Sequence, residues 1–196
     1  MEFFETYVDI LRAAHLFCFA MGMGTALYFD FRSFQSLSNP IGKVDIEDLE
    51  NIHIWITGAF VGLWITGITL IYVRTGFQLE AFSPKLWIKV SIMVLMTLNS
   101  FMVGAFIRPM MRNNLMRPMI SLPPMQFAVA TQVAVISLFC WTSGLLLGSS
   151  AALKTAPWET LLVIFPIWFV MLTVGGHLTI MFVRRRALGQ IPAPAE

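Results

Sequence analysis

Charged side chains are scarce in this 196-residue sequence, where Asp, Glu, Lys and Arg together make up only 12%. Soluble domains carry roughly 25% charged residues, so this chain has too few charges to cover a surface that faces water. Hydrophobic residues make up 57% of the chain, and its mean hydropathy is +0.74. These values exclude an ordinary soluble domain and favour a protein whose outer surface faces lipid.

Signature motifs of several enzyme classes are missing as well. The chain has no Gly-x-Ser-x-Gly, no phosphate-binding loop, no His-Glu-x-x-His and no Cys-x-x-Cys. The formal net charge is only +2, and nothing in the sequence favours a nucleic-acid partner. The two cysteines, Cys18 and Cys140, fall inside apolar stretches, where two buried thiols are favoured over a disulfide bridge.

Five stretches of the chain are long and apolar enough to cross a bilayer. A span needs about 20 mostly apolar residues, and it must be helical because lipid cannot satisfy free backbone groups. We therefore predict an all-α, integral membrane bundle that forms one transmembrane domain over residues 1–196. The spans are expected at residues 8–31, 51–73, 86–108, 125–148 and 158–183.

The distribution of arginines predicts how the chain is oriented in the membrane. Arg184–Arg186 directly follow the fifth span, and three more arginines lie at or after the end of the third span. By the positive-inside rule both segments are cytoplasmic. Since five is an odd number of spans, the N-terminus is expected outside and the C-terminus in the cytoplasm.

Three histidines sort into two groups by their expected depth. At ~1.5 Å of rise per residue, His53 and His177 lie about 30 and 28 Å from the outer surface, whereas His15 lies about 10 Å from it. Two histidines from different helices at one depth are what a b-type haem requires, because neutral imidazoles ligate the iron from both faces. The sequence predicts one haem b at His53 and His177, with electron transfer to or from a quinone or a partner subunit.

Four other residues are expected around such a haem. Gly175 and Gly176 precede His177, and their missing side chains would let the ring approach the backbone. Thr57 lies one turn after His53 and is placed to receive its spare ring N–H. Arg184 is placed to meet the haem propionates, although the same arginine also fits an ordinary positive-inside cluster.

A second polar group is expected near the outer surface. Arg12 and His15 are three residues apart and therefore share one face of the first helix, and Lys89 lies about 5 Å deep in the third span. This outer polar pocket would suit a quinone, an anionic headgroup or a second cofactor. The alternative is that Lys89 only extends its amine to the interface.

Two other functions stay open at this point. The chain can be a non-redox accessory or assembly subunit, in which the Gly58–Gly62 GxxxG pair docks a neighbouring chain in a homo-oligomer or a larger complex. It can also handle copper, because thioethers bind Cu(I) and methionines crowd the third loop. These methionines are Met110, Met111, Met116, Met119 and Met125.

Several short segments resemble a group of small, uncharacterised bacterial membrane proteins. They are His15 with Gly22 and Gly24, Phe29-Asp30-Phe31-Arg32, Thr66–Leu70, and Lys85-Leu-Trp-Ile-Lys89 followed by Asn99. The group is distantly similar to membrane-type protoporphyrinogen oxidase and to copper-resistance membrane proteins of the D type. This resemblance implies a haem-binding helical bundle of the bacterial inner membrane. The oxidase family has a histidine where this chain has Asn99, so the resemblance does not extend to oxidase activity.

Overall fold

Long helices make up most of the computed structural model, which describes residues 2–189. Five helical segments in that range are long and apolar enough to cross a membrane, which confirms the predicted all-α bundle. Residues 1 and 190–196, which the sequence assigns to the same domain, lie outside the described residues. The helices are α1 (Glu2–Gln35), α2 (Lys43–Thr75), α3 (Pro84–Met102), α4 (Arg108–Asn113), α5 (Pro124–Ser149) and α6 (Trp158–Gly189).

The helix ends follow local sequence signals. Ser83 caps α3, its side chain accepting a hydrogen bond from the Leu86 N–H at 3.3 Å, and Gly76 ends α2 in the left-handed conformation at φ 56°. The sequence predicts Asp45 as the N-cap of α2, and that prediction is wrong. Gly42 is the N-cap, and Asp45 lies three residues later, where its Oδ2 accepts from the Gly42 N–H at 2.7 Å.

The third span is longer than the sequence predicts. Pro109 is expected to end it, but the helix continues through a π-helical turn, Val103–Ile107, into α4. In that turn the Arg108 N–H reaches back to the Val103 carbonyl, which shifts the hydrogen-bond register just before the proline. Pro109 then occupies the first turn of α4, where its missing N–H is tolerated.

Helix α5 lies at the centre of the bundle. It packs against α3, α6 and α1, while α1 and α2 form a closely packed pair. The largest buried cluster gathers around Trp141, whose side chain is only 2% exposed, together with Leu147 and Leu161. The free thiol of Cys140 is buried in the same cluster.

The two ends of the bundle differ, and they are called the Gly76 face and the Pro40 face after one residue in each. The Gly76 face contains the start of α1, the turn from Gly76 to Ser83 and the start of α6. The Pro40 face contains the loops of residues 36–42 and 114–123, which three backbone hydrogen bonds join at 2.9–3.2 Å. These bonds pair Ile41 with residues 116 and 117 and Leu37 with residue 120, so the two loops form one surface.

Candidate functional site

A cavity of about 310 Å³ lies inside the bundle toward the Pro40 face. All five spans contribute to its wall, and most of the lining side chains are apolar, such as Phe60, Met96 and Val135. Ligand pockets in proteins are mostly apolar and have volumes of about 300–1,000 Å³. This cavity therefore has the character of a binding site for one small molecule.

Two oxygen atoms on residues of the cavity wall are buried and have no hydrogen-bond partner among the described residues. They are Oδ2 of Asp30, near the end of α1, and Oδ1 of Asn99, on α3. The other side of the Asn99 amide is satisfied, because its Nδ2 donates to the Val133 carbonyl at 3.2 Å. That bond fixes the amide so that Oδ1 is the free atom, and an unpaired buried acceptor is costly.

His53 lines the same cavity from α2. Within residues 2–189 its ring forms no hydrogen bond, but Arg108 lies close enough to interact with it electrostatically. The Nε of Arg108 is itself buried and has no hydrogen-bond partner in the part of the chain that the structure describes. The Pro40 side of the cavity thus contains the His53 imidazole, which forms no hydrogen bond with the described residues, and the nearby Arg108 guanidinium group.

His177, the second predicted haem ligand, does not line this cavity. Its Nε2 lies 3.0 Å from Oε1 of Gln132 on α5, so that nitrogen donates to the amide and Nδ1 remains without a described partner. The structure therefore places His53 on the cavity and His177 against α5, and it does not bring the two rings to one described cavity.

The four other residues expected around a haem lie in different surroundings. A Cβ at Gly176 would lie 2.7 Å from Val135 Cγ2, so this glycine permits close packing of α6 on α5, whereas Gly175 faces open space. Thr57 is exposed and forms no hydrogen bond with His53 among the described residues, so the predicted orienting contact is absent. Arg184 donates to the Leu122 carbonyl at 2.7 Å and lies over the Phe127 ring.

The outer polar pocket is only partly assembled. His15 Nδ1 lies 2.8 Å from the Thr66 hydroxyl, which itself donates to the Gly62 carbonyl at 2.6 Å. The Thr66 oxygen therefore accepts from Nδ1–H, which leaves the Nε2 of His15 available. Lys89 acts on His15 electrostatically, whereas Arg12 is paired with Asp9 at 2.8 Å.

The five methionines considered for copper do not form one site. Met110, Met111 and Met119 share one apolar cluster, while Met116 and Met125 are exposed at 76% and 74%. Within residues 2–189, no group of three or more His, Cys, Asp or Glu side chains could hold a metal ion. Copper handling stays a prediction, and what supports it in the described chain is the one apolar cluster that Met110, Met111 and Met119 share.

The GxxxG pair has its close contact inside the chain. A Cβ at Gly62 would lie 2.6 Å from Cys18 Sγ on α1, whereas one at Gly58 would meet nothing within 4 Å. Gly62 therefore serves the packing of α1 on α2. A role for the pair in docking a second chain would rest on Gly58 alone.

Sequence reasoning did not select Asp30 and Asn99, although a usable signal was present. Polar side chains inside spans are costly and mark candidate functional sites, and Asn99 lies well inside the third predicted span. Asp30 lies at the edge of the first predicted span, where an acidic residue is expected to face water. Because α1 continues to Gln35, Asp30 is instead more than a turn inside the helix.

Fold and site together define a multi-pass helical membrane protein with an apolar cavity that contains unpaired hydrogen-bond acceptors. No protein-family model matches the chain, and neither the curated proteins nor the solved structures provide a significant match.

Proposed function

We propose that this protein binds a small, largely apolar molecule bearing hydroxyl groups, of the hydroquinone class, in the cavity between its helices. The observation that carries the proposal is the pair of unpaired oxygens of Asp30 and Asn99 on an otherwise apolar wall. Hydroquinones with alkyl tails dissolve in the bilayer that surrounds these helices.

The polarity of the site favours a ligand that donates hydrogen bonds. Oδ1 of Asn99 accepts, because the amide nitrogen is held by Val133. The carboxyl group of Asp30 likewise only accepts when it is ionised. A hydroquinone donates through both hydroxyls, whereas the corresponding quinone has only carbonyl acceptors. A site that contains buried acceptors discriminates against an analogue without the donor, because its own groups then remain unpaired.

The volume of the cavity supports a ligand built around a single ring. About 310 Å³ is at the lower end of the range of ligand pockets. The His53 ring can either donate or accept a hydrogen bond. It could therefore bind a second hydroxyl group of the same ligand.

A matched pair of ligands tests the proposal. The full-length protein in detergent is titrated under anaerobic conditions with decylhydroquinone and, separately, with decylquinone, and binding is followed by tryptophan fluorescence. We expect the hydroquinone to bind about tenfold or more tightly than the quinone, the effect of roughly one lost buried hydrogen bond. Asp30→Asn and Asn99→Leu should each reduce this preference.

Glu47→Gln is the control, because Glu47 is exposed on α2 and does not line the cavity. It should bind both compounds as the unmodified protein does. Equal binding of the two compounds, or no binding of either, would contradict the proposal.

A b-type haem held by His53 and His177, with electron transfer to or from a quinone or a partner subunit, is a second proposal. The observation in its favour is that the His53 ring faces the cavity without a hydrogen-bond partner in the described chain. The residues fit a haem only in part, because His177 lies against Gln132 and outside the cavity wall. When bound, a haem would supply one-electron chemistry.

The visible absorption spectrum of protein purified from haem-replete cells tests this second proposal. Bis-histidine haem should give a sharp reduced band that His53→Ala and His177→Ala both remove and His15→Ala leaves intact. Loss of haem in His15→Ala would instead make His15 a ligand. A colourless preparation that binds no hydroquinone would overturn both proposals and favour the accessory-subunit alternative.

We also propose that the chain resides in the bacterial inner membrane, with the Pro40 face in the cytoplasm. The support is the arginine content of that face, which includes Arg32, Arg112 and Arg184. Fusions at the C-terminus test this orientation. A fused green fluorescent protein should be bright, and a fused alkaline phosphatase inactive; the reverse result would invert the topology.

A further inference from the structure

A second, smaller cavity lies at the Pro40 face. Its volume is about 40 Å³, which is enough room for ordered water where polar partners are present. Its wall includes the exposed residues Arg32 and Asn39, so the cavity reaches the surface of the protein. Lys43 and Glu47, at the same end of α2, are exposed as well, as expected for an end of the bundle that meets water.

The two cavities are adjacent. Four residues contribute to the walls of both, namely Phe29, Ser33, Met111 and Met119. A single layer of side chains therefore separates the apolar interior from the smaller cavity. Two of the four are methionines, whose unbranched side chains adapt readily, so this layer can admit a molecule as small as water.

Polar residues make up more than half of the wall of the smaller cavity. They include Asp45 and the ion pair between Arg32 and Asp48, whose charged atoms are 2.6 Å apart. Ser33 and Asn39 contribute side chains that form no hydrogen bond with the described residues. Buried water typically makes about three hydrogen bonds to polar groups, and this wall provides such groups.

Ser33 connects the polar wall to Asp30. The two residues are three apart on α1 and therefore share one side of it, and both line the larger cavity. No hydrogen bond or ion pair joins the Asp30 carboxyl group to the described residues, and its Oδ2 is buried. Since no described side chain is bonded to this carboxyl group, water that reaches it is the group with which it can exchange a proton.

We infer that the smaller cavity is an entry for water, through which protons pass between the Pro40 face and Asp30. The Asp30 carboxylate accepts a proton from water beside Ser33, and that water regains a proton from the solution outside, so only O–H bonds form and break. Release of the proton follows the same route in reverse. The inference shares Asp30 with the proposed hydroquinone site, but it does not depend on which ligand that site binds.

Other titratable and charged groups lie along this route. His53 lines the larger cavity from α2, with Arg108 of the third span nearby. The smaller cavity adds Asp45 and the paired Arg32 and Asp48. Among the described residues, α5 and α6 contribute no titratable side chain to either wall. An exchanging carboxyl group must therefore be assigned by substitution.

Infrared spectroscopy of the full-length protein, without any ligand, tests the inference. Difference spectra between acidic and alkaline buffer should contain a carboxylic C=O band that Asp30→Asn removes. Transfer from H₂O to D₂O in acidic buffer should shift this band within the mixing time. Ser33→Val replaces the hydroxyl group by methyl groups, and we expect it to slow the shift about tenfold or more, because exchange then waits for local opening of the helices.

Ser38→Val is the matched control, because Ser38 is exposed at the Pro40 face and lines neither cavity. It should leave the rate of the shift unchanged. Asn39→Leu, at the exposed mouth of the smaller cavity, should also slow the shift, and it keeps the test valid if Ser33→Val does not fold. The inference would be overturned by the absence of a band that depends on Asp30, by an unchanged rate in Ser33→Val and Asn39→Leu, or by equal slowing in Ser38→Val. Because no hydroquinone is present, this test and the test of the proposed function can fail separately.

Discussion

Thr142 and Ser143 are neighbours on α5, and their hydroxyls have opposite hydrogen-bonding situations. Thr142 Oγ1 donates to the Leu138 carbonyl at 2.7 Å and accepts from Trp168 Nε1 at 3.2 Å. Ser143 is fully buried, and within residues 2–189 its Oγ has no hydrogen-bond partner. We expect Ser143→Ala to raise the free energy of unfolding by about 1 kcal/mol, and Thr142→Val to lower it by about 1 kcal/mol. The measurement is denaturant unfolding in mixed micelles, followed by tryptophan fluorescence. A loss of stability in both variants would contradict the assignment of these bonds.

Close packing between helices depends on particular glycines rather than on glycine content. A Cβ at Gly22 of α1 would overlap the Trp141 ring of α5, whereas one at Gly24 would meet nothing within 4 Å. Trp141 is enclosed by the core and cannot move aside, so we expect Gly22→Ala to cost about 1–3 kcal/mol. Gly24→Ala is the matched control and should cause no loss. Thermal unfolding of the two purified variants measures the difference, and equal midpoints would show that α1 and α5 are not in this contact.

At the scale of the whole molecule, side-chain contacts and backbone hydrogen bonds together hold the Pro40 face in place beneath the cavity. Arg184 of α6 reaches the Leu122 carbonyl and the Phe127 ring, and the Ile120 N–H donates to Leu37. We expect Arg184→Met to speed hydrogen exchange of the Ile120 amide about tenfold, which corresponds to ~1.4 kcal/mol of local stability. Arg185→Met, at the exposed adjacent position, should leave that rate unchanged. An unchanged rate in Arg184→Met would mean that the loop is held by its backbone bonds alone.

Composition and the positions of the apolar stretches were sufficient to predict the architecture. Five apolar stretches without enough charge for a soluble surface require membrane helices, because a bilayer leaves backbone groups no other partner. Most helix ends also follow local signals, as Ser83 before Pro84 and Gly76 after Thr75 show. The end of the third span does not follow a local signal. The helix continues past Pro109 because a π-helical turn shifts the hydrogen-bond register, and no local residue predicts that turn.

The candidate site was predicted only in part, and the reason is geometric. Depth along a helix can be counted from the sequence, but rotation about its axis and the identity of its neighbours cannot. His53 and His177 were grouped by depth, yet His53 lies on the cavity and His177 meets Gln132. Asp30 and Asn99 are far apart in the chain, and packing brings both to the wall of one cavity.

The sequence by itself determined that this chain is a bundle of membrane helices, because the hydrophobic effect and backbone hydrogen bonding act on every segment locally. Only the tertiary structure decided which polar groups remain unpaired. Arg112 and Arg184 find partners in Glu50 and Leu122, whereas within residues 2–189 Asn99 Oδ1 and Asp30 Oδ2 do not. Whether such a polar group finds a partner on another helix depends on the distance between the two helices. Contacts such as Gly22 against Trp141 set that distance, and no single residue does so alone.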